Sequence, residues 1–168
     1  MVRVAINGFG RIGRMIYRAA LGDKKIDIVA INDLGDEATM AHLLKYDSVH
    51  KKLDIDISSG KGFIKVGGKK VIKLSERDPE QLPWKKLKID VVVESTGFFR
   101  DREGTEKHIK AGARKVLLSA PPKGDKPIPT VVMGANTKTC RTDEVISNAS
   151  CTTNSLVPVV QVLDSEFG

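Results

Sequence analysis

The chain begins VRVAINGFGRIGR (residues 2–14), an apolar run of strand length that leads straight into G-x-G-x-x-G. Glycines gather in ordinary turns, so the pattern alone is weak and its context makes it specific. A helical pattern follows over residues 11–21, with Ile12, Met15, Ile16, Ala19 and Ala20 expected on one face and Gly22 as the stop. A second apolar strand, 26–31, runs into Asn32 and Asp33. Asp33 stands about twenty positions past the last glycine, where a dinucleotide-binding βαβ unit carries an acid.

Each part of this unit has a physical task. Gly8 permits a tight turn, Gly10 lets backbone approach a pyrophosphate with no Cβ in the way, and Gly13 allows helix and strand to pack closely. The helix N-terminus offers unpaired N–H groups and the positive end of its dipole to phosphates. The Asp33 carboxylate can accept hydrogen bonds from ribose hydroxyls and would repel a 2′-phosphate, so NAD is expected rather than NADP. The residues leave one alternative open, a parallel βαβ unit whose turn is merely tight.

Further along, a helix is expected over 37–45. Strands at 53–57 and 63–66 flank a turn at 58–61, and Gly67-Gly68 suits a hairpin into a strand at 69–74. This reads as an antiparallel excursion inserted into a parallel sheet. Residues 89–94 form a nearly continuous apolar strand, and Ser95-Thr96-Gly97-Phe98-Phe99 lies at its carboxyl end, where open α/β sheets bind ligands. A helix over 102–111 has Asp101 as N-cap and Gly112 as stop. His108 lies in that helix among lysines and is expected at the surface. Strands are expected at 115–119, 130–133 and 145–147. The fold class is α/β: a doubly wound parallel sheet, the Rossmann NAD-binding fold, with an inserted antiparallel hairpin region.

At 168 residues there is chain for one domain and the edge of a second. No apolar run approaches the roughly twenty residues of a membrane span, and no membrane partner is expected. Glycine-rich sequence begins within the first ten residues, so no secretory signal is expected. The two cysteines, Cys140 and Cys151, read as free thiols in a cytoplasmic chain, and no metal site is expected. The net charge of +7 is spread over dispersed lysine pairs and aromatics make up only 5%, so nucleic acid is not expected as the primary partner.

A second constellation is SNASCTTN (147–154), between the last strand and another helical pattern. Ser150 can cap that helix and place Cys151 in its first turn, where the dipole favours a nucleophilic thiolate. Ser150, Thr152 and Thr153 surround the thiol with hydroxyls suited to an oxyanion or a phosphate. On these residues alone, an activated nucleophile and a small buried cysteine in a capped helix stand side by side. Cys140 lacks such surroundings and reads as structural.

With these motifs in view, the sequence resembles the phosphorylating, NAD-dependent glyceraldehyde-3-phosphate dehydrogenases. The resemblance is carried by AINGFGRIGR, IND around Asp33, HLLKYDSVH (42–50), ESTGFF and above all SNASCTTN. It covers the chain from first residue to last but corresponds to only the N-terminal half of a family member. The resemblance implies oxidation and phosphorylation of glyceraldehyde 3-phosphate with NAD and inorganic phosphate, through a Cys151 thioester. It implies a cofactor site of Asn7, Gly8, Gly10, Arg11, Ile12, Gly13, Asn32, Asp33, Arg77, Thr96, Gly97, Phe99 and Ser119. Arg11 and Ile12 would meet the pyrophosphate, and Ser150 and Thr152 would bind substrate or phosphate oxygens. Erythrose-4-phosphate dehydrogenases share much of this pattern but usually have glutamate at the Asp33 position. Ser155 stands where many members carry a second cysteine, so no redox pairing with Cys151 carries over.

The family's general base is a histidine downstream of the nucleophile, whereas His42, His50 and His108 all precede Cys151. The final helix, from Leu156 to Phe167, is apolar in nearly every direction and expects burial on several faces. Residues 1–150 are therefore expected to form the NAD-binding domain, and residues 151–168 the first helix of an otherwise absent catalytic domain. On this reading the chain is a truncated piece or half of a split enzyme, inactive without its C-terminal half and homotetrameric when full length. The other readings are an isolated NAD-binding module without catalysis and, on fold alone, a nucleic-acid-binding or scaffold protein.

Overall fold

The structure, a computed structural model, describes residues 1–137 and 142–168; Cys140 lies outside the described residues. The elements in chain order are β1 (Val2–Asn7), α1 (Arg11–Ala20), β2 (Ile26–Asn32), α2 (Glu37–Lys45), β3 (Ile57–Gly60), β4 (Phe63–Val66) and β5 (Lys69–Leu74). A 3-10 turn at Pro79–Gln81 precedes α3 (Trp84–Leu87), β6 (Val91–Glu94), α4 (Arg102–Lys110), β7 (Lys115–Leu118), β8 (Val145–Ser147) and α5 (Cys151–Phe167). Eight strands form one sheet in the order β3-β4-β5-β2-β1-β6-β7-β8. From β5 to β8 every neighbouring pair is parallel, while β4 is antiparallel to both β3 and β5. The excursion thus returns to the sheet through β5, which pairs with β2 in parallel.

The period of two in the central strands sorts side chains onto two cores. Val4, Ile6, Ile31 and Val93 face the layer of α1 and α2, where they meet Tyr17, Met40 and Leu44. Ala5, Ala30 and Val92 face the other layer and pack against Leu82, Trp84 and Ala113. The chain turns from β1 towards β2 on one side and later resumes at β6 on the other. The carboxyl end of β1 is therefore a topological switch point, the place where such sheets open a crevice.

Four sequence expectations are corrected. The buried face of α1 is Gly13 and Tyr17, while Ile12 is half exposed, because the close approach of helix to strand is set by the glycine and not by the apolar stripe. The strand expected at 53–57 begins at Ile57 and continues through Ser58, Ser59 and Gly60, and its turn moves to Lys61-Gly62. Backbone pairing with β4 overrides the alternation of the preceding residues. No strand forms at 130–133. Thr130 makes one bridge with Ser147, through Ser147 N–H to Pro129 O and Val131 N–H to Ser147 O, before the chain turns away. Finally, His108 is fully buried, not at the surface. It lies with Gly104 and Thr105 on the inward face of α4, a face of small and polar residues that hydrophobic patterning does not reveal.

Candidate active site

At the switch point lies a cleft of about 550 Å³ lined by Asn7, Gly8, Gly10, Asn32, Asp33, Leu34, Glu76, Arg77, Ser95, Thr96, Phe98 and Phe99. Eight residues of the expected cofactor site thus line one crevice. Its glycines are set by geometry. Gly8 has φ +90°, and a Cβ there would lie 2.6 Å from the Thr96 nitrogen, so the turn passes directly against the chain leaving β6. A Cβ on Gly13 would lie 2.1 Å from the Gly8 carbonyl oxygen. A Cβ on Gly10 would meet nothing within 4 Å, so this glycine leaves open space in the cleft.

Gly10 is also the N-cap of α1, with no side-chain cap and no acidic residue in the first turn. Asp36, Asp101 and Ser150, in contrast, each cap α2, α4 and α5 through a side-chain oxygen. The first N–H groups of α1, at Arg11, Ile12 and Gly13, are therefore left to a ligand, and an anion suits them. Open space at Gly10 and an uncapped helix end together fit a pyrophosphate.

The Asp33 carboxylate is held on both oxygens, accepting from the Phe9 N–H at 2.7 Å and the Gly35 N–H at 2.9 Å. Asp33 lines the cleft, and each carboxylate oxygen keeps a further lone pair for a ribose hydroxyl. Arg11 sends its guanidinium away, to Asp47 at 2.9 Å, so only its backbone is directed at a phosphate. The N–H groups of His50 and Val49, followed by Arg11, hold the Asp47 carboxyl down at about 2. Arg14 donates to the Phe9 carbonyl at 3.0 Å, bracing the glycine turn, and burial lowers its pKa. Gly97, at φ +79°, turns the chain between Thr96 and Phe98, while the Ser119 hydroxyl is occupied by the Glu94 carbonyl at 3.0 Å, outside the cleft lining.

From Asn7 and Asn32 on the cleft lining a buried polar row runs inward to Glu94 and His108, which sequence patterning did not anticipate. Asn32, Asn7 and Glu94 are register partners on β2, β1 and β6, and all are buried. Asn32 donates to Asn7 Oδ1 at 2.7 Å, and Asn7 donates to Glu94 Oε2 at 2.6 Å. His108 reaches the same oxygen at 3.0 Å, and the Trp84 indole N–H donates to His108 Nδ1 at 3.0 Å.

The thiol is built differently. Cys151 is the first residue of α5 and exposed. Ser150 Oγ accepts from the Thr153 N–H at 3.0 Å and lies 2.8 Å from the Thr152 hydroxyl and 2.7 Å from that of Thr153. Ala149, just before the cap, has φ +59°, a left-handed conformation that costs a non-glycine residue roughly 1–2 kcal/mol. Ser147 holds the strained turn by accepting from the Ala149 N–H, and Asn154 holds it by donating to the Asn148 and Ser150 carbonyls. Cys151 thus sits exposed at the start of α5, directly after a braced turn. β1 and β8 end at the same edge of the parallel run, three strand spacings or about 14 Å apart.

A family model described as the NAD binding domain of glyceraldehyde 3-phosphate dehydrogenase matches residues 2–102. The chain belongs to the glyceraldehyde-3-phosphate dehydrogenase family. The cofactor of this domain is NAD, and the cleft at the switch point has the chemistry to hold it. Curated relatives of the same name include the protein of Geobacillus stearothermophilus, 53% identical over 169 residues covering 99% of this chain and 50% of the relative. That of Thermotoga maritima is 52% identical over 171 residues, covering 100% of this chain and 51% of the relative. A relative named as chloroplastic, from Chondrus crispus, is 53% identical over 99% of this chain and 41% of its own length. The chain spans about half the length of the curated relatives it matches. Among the described residues no helix is long and apolar enough to cross a membrane.

Proposed function

We propose that this chain supplies the NAD site and the nucleophile of an oxidoreductase that converts glyceraldehyde 3-phosphate and inorganic phosphate to an acyl phosphate. The observation that carries the reading is the shared carboxyl edge of the sheet. The glycine turn after β1 and the thiol after β8 open in the same direction, about 14 Å apart, a span suited to an extended dinucleotide.

In this reading the uncapped end of α1 holds the pyrophosphate and Asp33 the adenosine ribose. Asn7, Gly8, Asn32, Arg77, Thr96, Gly97 and Phe99 shape the cleft, and Ser119 continues the site towards β8. Bound NAD supplies the hydride acceptor. Cys151 acts as thiolate, its sulfur bonding to the aldehyde carbon to give a thiohemiacetal, which becomes a thioester once the hydride has left. Ser150 and Thr152 hold substrate or phosphate oxygens with their hydroxyls, and α5 turns its N-terminus towards the developing oxyanion. Inorganic phosphate then attacks the thioester carbon and returns the sulfur as thiolate. None of the three histidines supplies the proton acceptor, and His108 is already engaged by Trp84 and Glu94.

The domain division belongs to the same proposal: residues 1–150 as the NAD-binding domain and 151–168 as the first helix of a catalytic domain. It is supported by α5, where no residue is buried and Leu156, Val159, Val162 and Phe167 are exposed. A homotetramer for the whole protein and a place in cytoplasmic glycolysis complete it. The test is an NAD titration of the chain, with a competing series of NADP, followed by alkylation of Cys151 with iodoacetamide. Saturable binding with NAD preferred, and alkylation of Cys151 far faster than of Cys140, are expected. Equal rates for the two thiols would remove the nucleophile from the proposal.

A further inference from the structure

Glu94 is fully buried, yet no lysine or arginine among the described residues is paired with it. Its carboxylate is matched instead by four hydrogen-bond contacts. Oε1 accepts from the Thr96 N–H at 2.8 Å and the Thr96 hydroxyl at 2.5 Å. Oε2 accepts from Asn7 Nδ2 at 2.6 Å and meets His108 Nε2 at 3.0 Å. The direction of the last bond is fixed from behind. An indole N–H can only donate, so the bond from Trp84 makes His108 Nδ1 an acceptor and puts the ring proton on Nε2, aimed at Glu94. All four contacting groups, from the three residues Thr96, Asn7 and His108, are donors, and only a carboxylate can accept from all of them.

Two of those residues, Asn7 at the end of β1 and Thr96 just after β6, line the cleft. Thr96 passes the constraint on, since its hydroxyl oxygen accepts from the Phe98 N–H at 3.1 Å and so sets the loop that forms the cleft wall. A hydrophobic residue of similar size would fill the same space in the core without joining these two strand ends. We propose that Glu94 is a positioning residue of the NAD site: it locks the end of β1 to the loop after β6, with His108 and Trp84 holding the carboxylate in the one orientation that serves both. The inference rests on the NAD reading of the cleft and goes beyond it by assigning a buried acid that touches no ligand.

The test is Glu94→Gln, an isosteric change that replaces one acceptor oxygen by a donor facing two donors. NAD dissociation constants are measured calorimetrically well below the unfolding midpoint, with emission of the single tryptophan, Trp84, reporting on the core. E94Q should raise the constant about tenfold while Trp84 emission stays native. Thr96→Val should also weaken binding, Thr96→Ser should restore it, and the E94Q and T96V effects should be strongly non-additive because they break one linkage. Unchanged affinity in folded E94Q would overturn the inference and leave the cleft reading standing, as would simple additivity. Absence of NAD binding by the unmodified chain would overturn both. Should E94Q fail to fold, the Thr96 pair decides: equal affinity of T96V and T96S rules the linkage out.

Discussion

The glycine turn makes a prediction that separates two kinds of glycine. At Gly13 the obstacle to a side chain is backbone: an added Cβ would sit 2.1 Å from the Gly8 carbonyl oxygen and 3.0 Å from Ile6 Cγ2. The carbonyl cannot swing aside like a flexible side chain, so β1 and α1 must part by about 1 Å, and overpacking of that kind costs about 3 kcal/mol. The gain in helix propensity from glycine to alanine returns about 1 kcal/mol. Gly13→Ala should therefore lose about 2 kcal/mol net, roughly 4–8 °C in Tm for a domain of this size. Gly10→Ala meets no atom within 4 Å, and its cost to the fold is the loss of a favourable N-cap, at most about 1 kcal/mol. Its Cβ, however, stands in the space left for pyrophosphate, so NAD affinity should fall by more than about tenfold. Thermal unfolding and NAD titration of both variants make the comparison. A G10A protein that binds NAD like the parent, or a G13A protein with the parent's Tm, would refute the assignment of packing to one glycine and ligand approach to the other.

Three further outcomes follow from the same contacts. Asp47, held at about 2 against an ordinary 3.8, stabilises the fold fully above the higher value and loses that contribution as pH falls towards the lower. The Tm gap between parent and Asp47→Asn should accordingly be constant from pH 7 to 5, narrow below about pH 4 and close near pH 2; a gap undiminished at pH 2 contradicts the pairing. Removing residues 151–168 should leave Tm and NAD affinity nearly unchanged and lower the binding of a hydrophobic dye, since α5 buries none of its residues; a marked loss of stability would show that α5 packs on the domain. Trp84→Phe leaves His108 Nδ1 without its donor and should cost about 1–3 kcal/mol, read in urea titrations; a neutral effect would mean that the indole bond does not form.

What patterning captured and what it missed have different physical origins. Gly8, Gly10, Gly13 and Asp33 were legible because each obeys a local rule about turns, helix ends or spacing, and so was the Ser150 cap of α5. The strand at 57–60 was misplaced because its pairing with β4 is a non-local choice between two registers that the residues themselves barely distinguish. The thiol's exposure was undecidable from SNASCTTN alone. It depends on Ala149 being held in a left-handed turn by Ser147 and Asn154, contacts that only the folded chain brings together.

His108 marks the boundary most clearly. By sequence it is a charged-looking position in a lysine-rich helix, and nothing within several residues of it predicts burial. Its partners come from positions 84 and 94, on α3 and β6, and the bond that orients it depends on which nitrogen an indole reaches. The amino-acid order determined that this would be a glycine-turn dinucleotide fold, since periodicity, capping and turn chemistry act over a few residues. The tertiary structure alone decided which polar groups would be sealed behind the cleft and which would face it, because burial of a charge is settled by the donors that converge on it from distant segments.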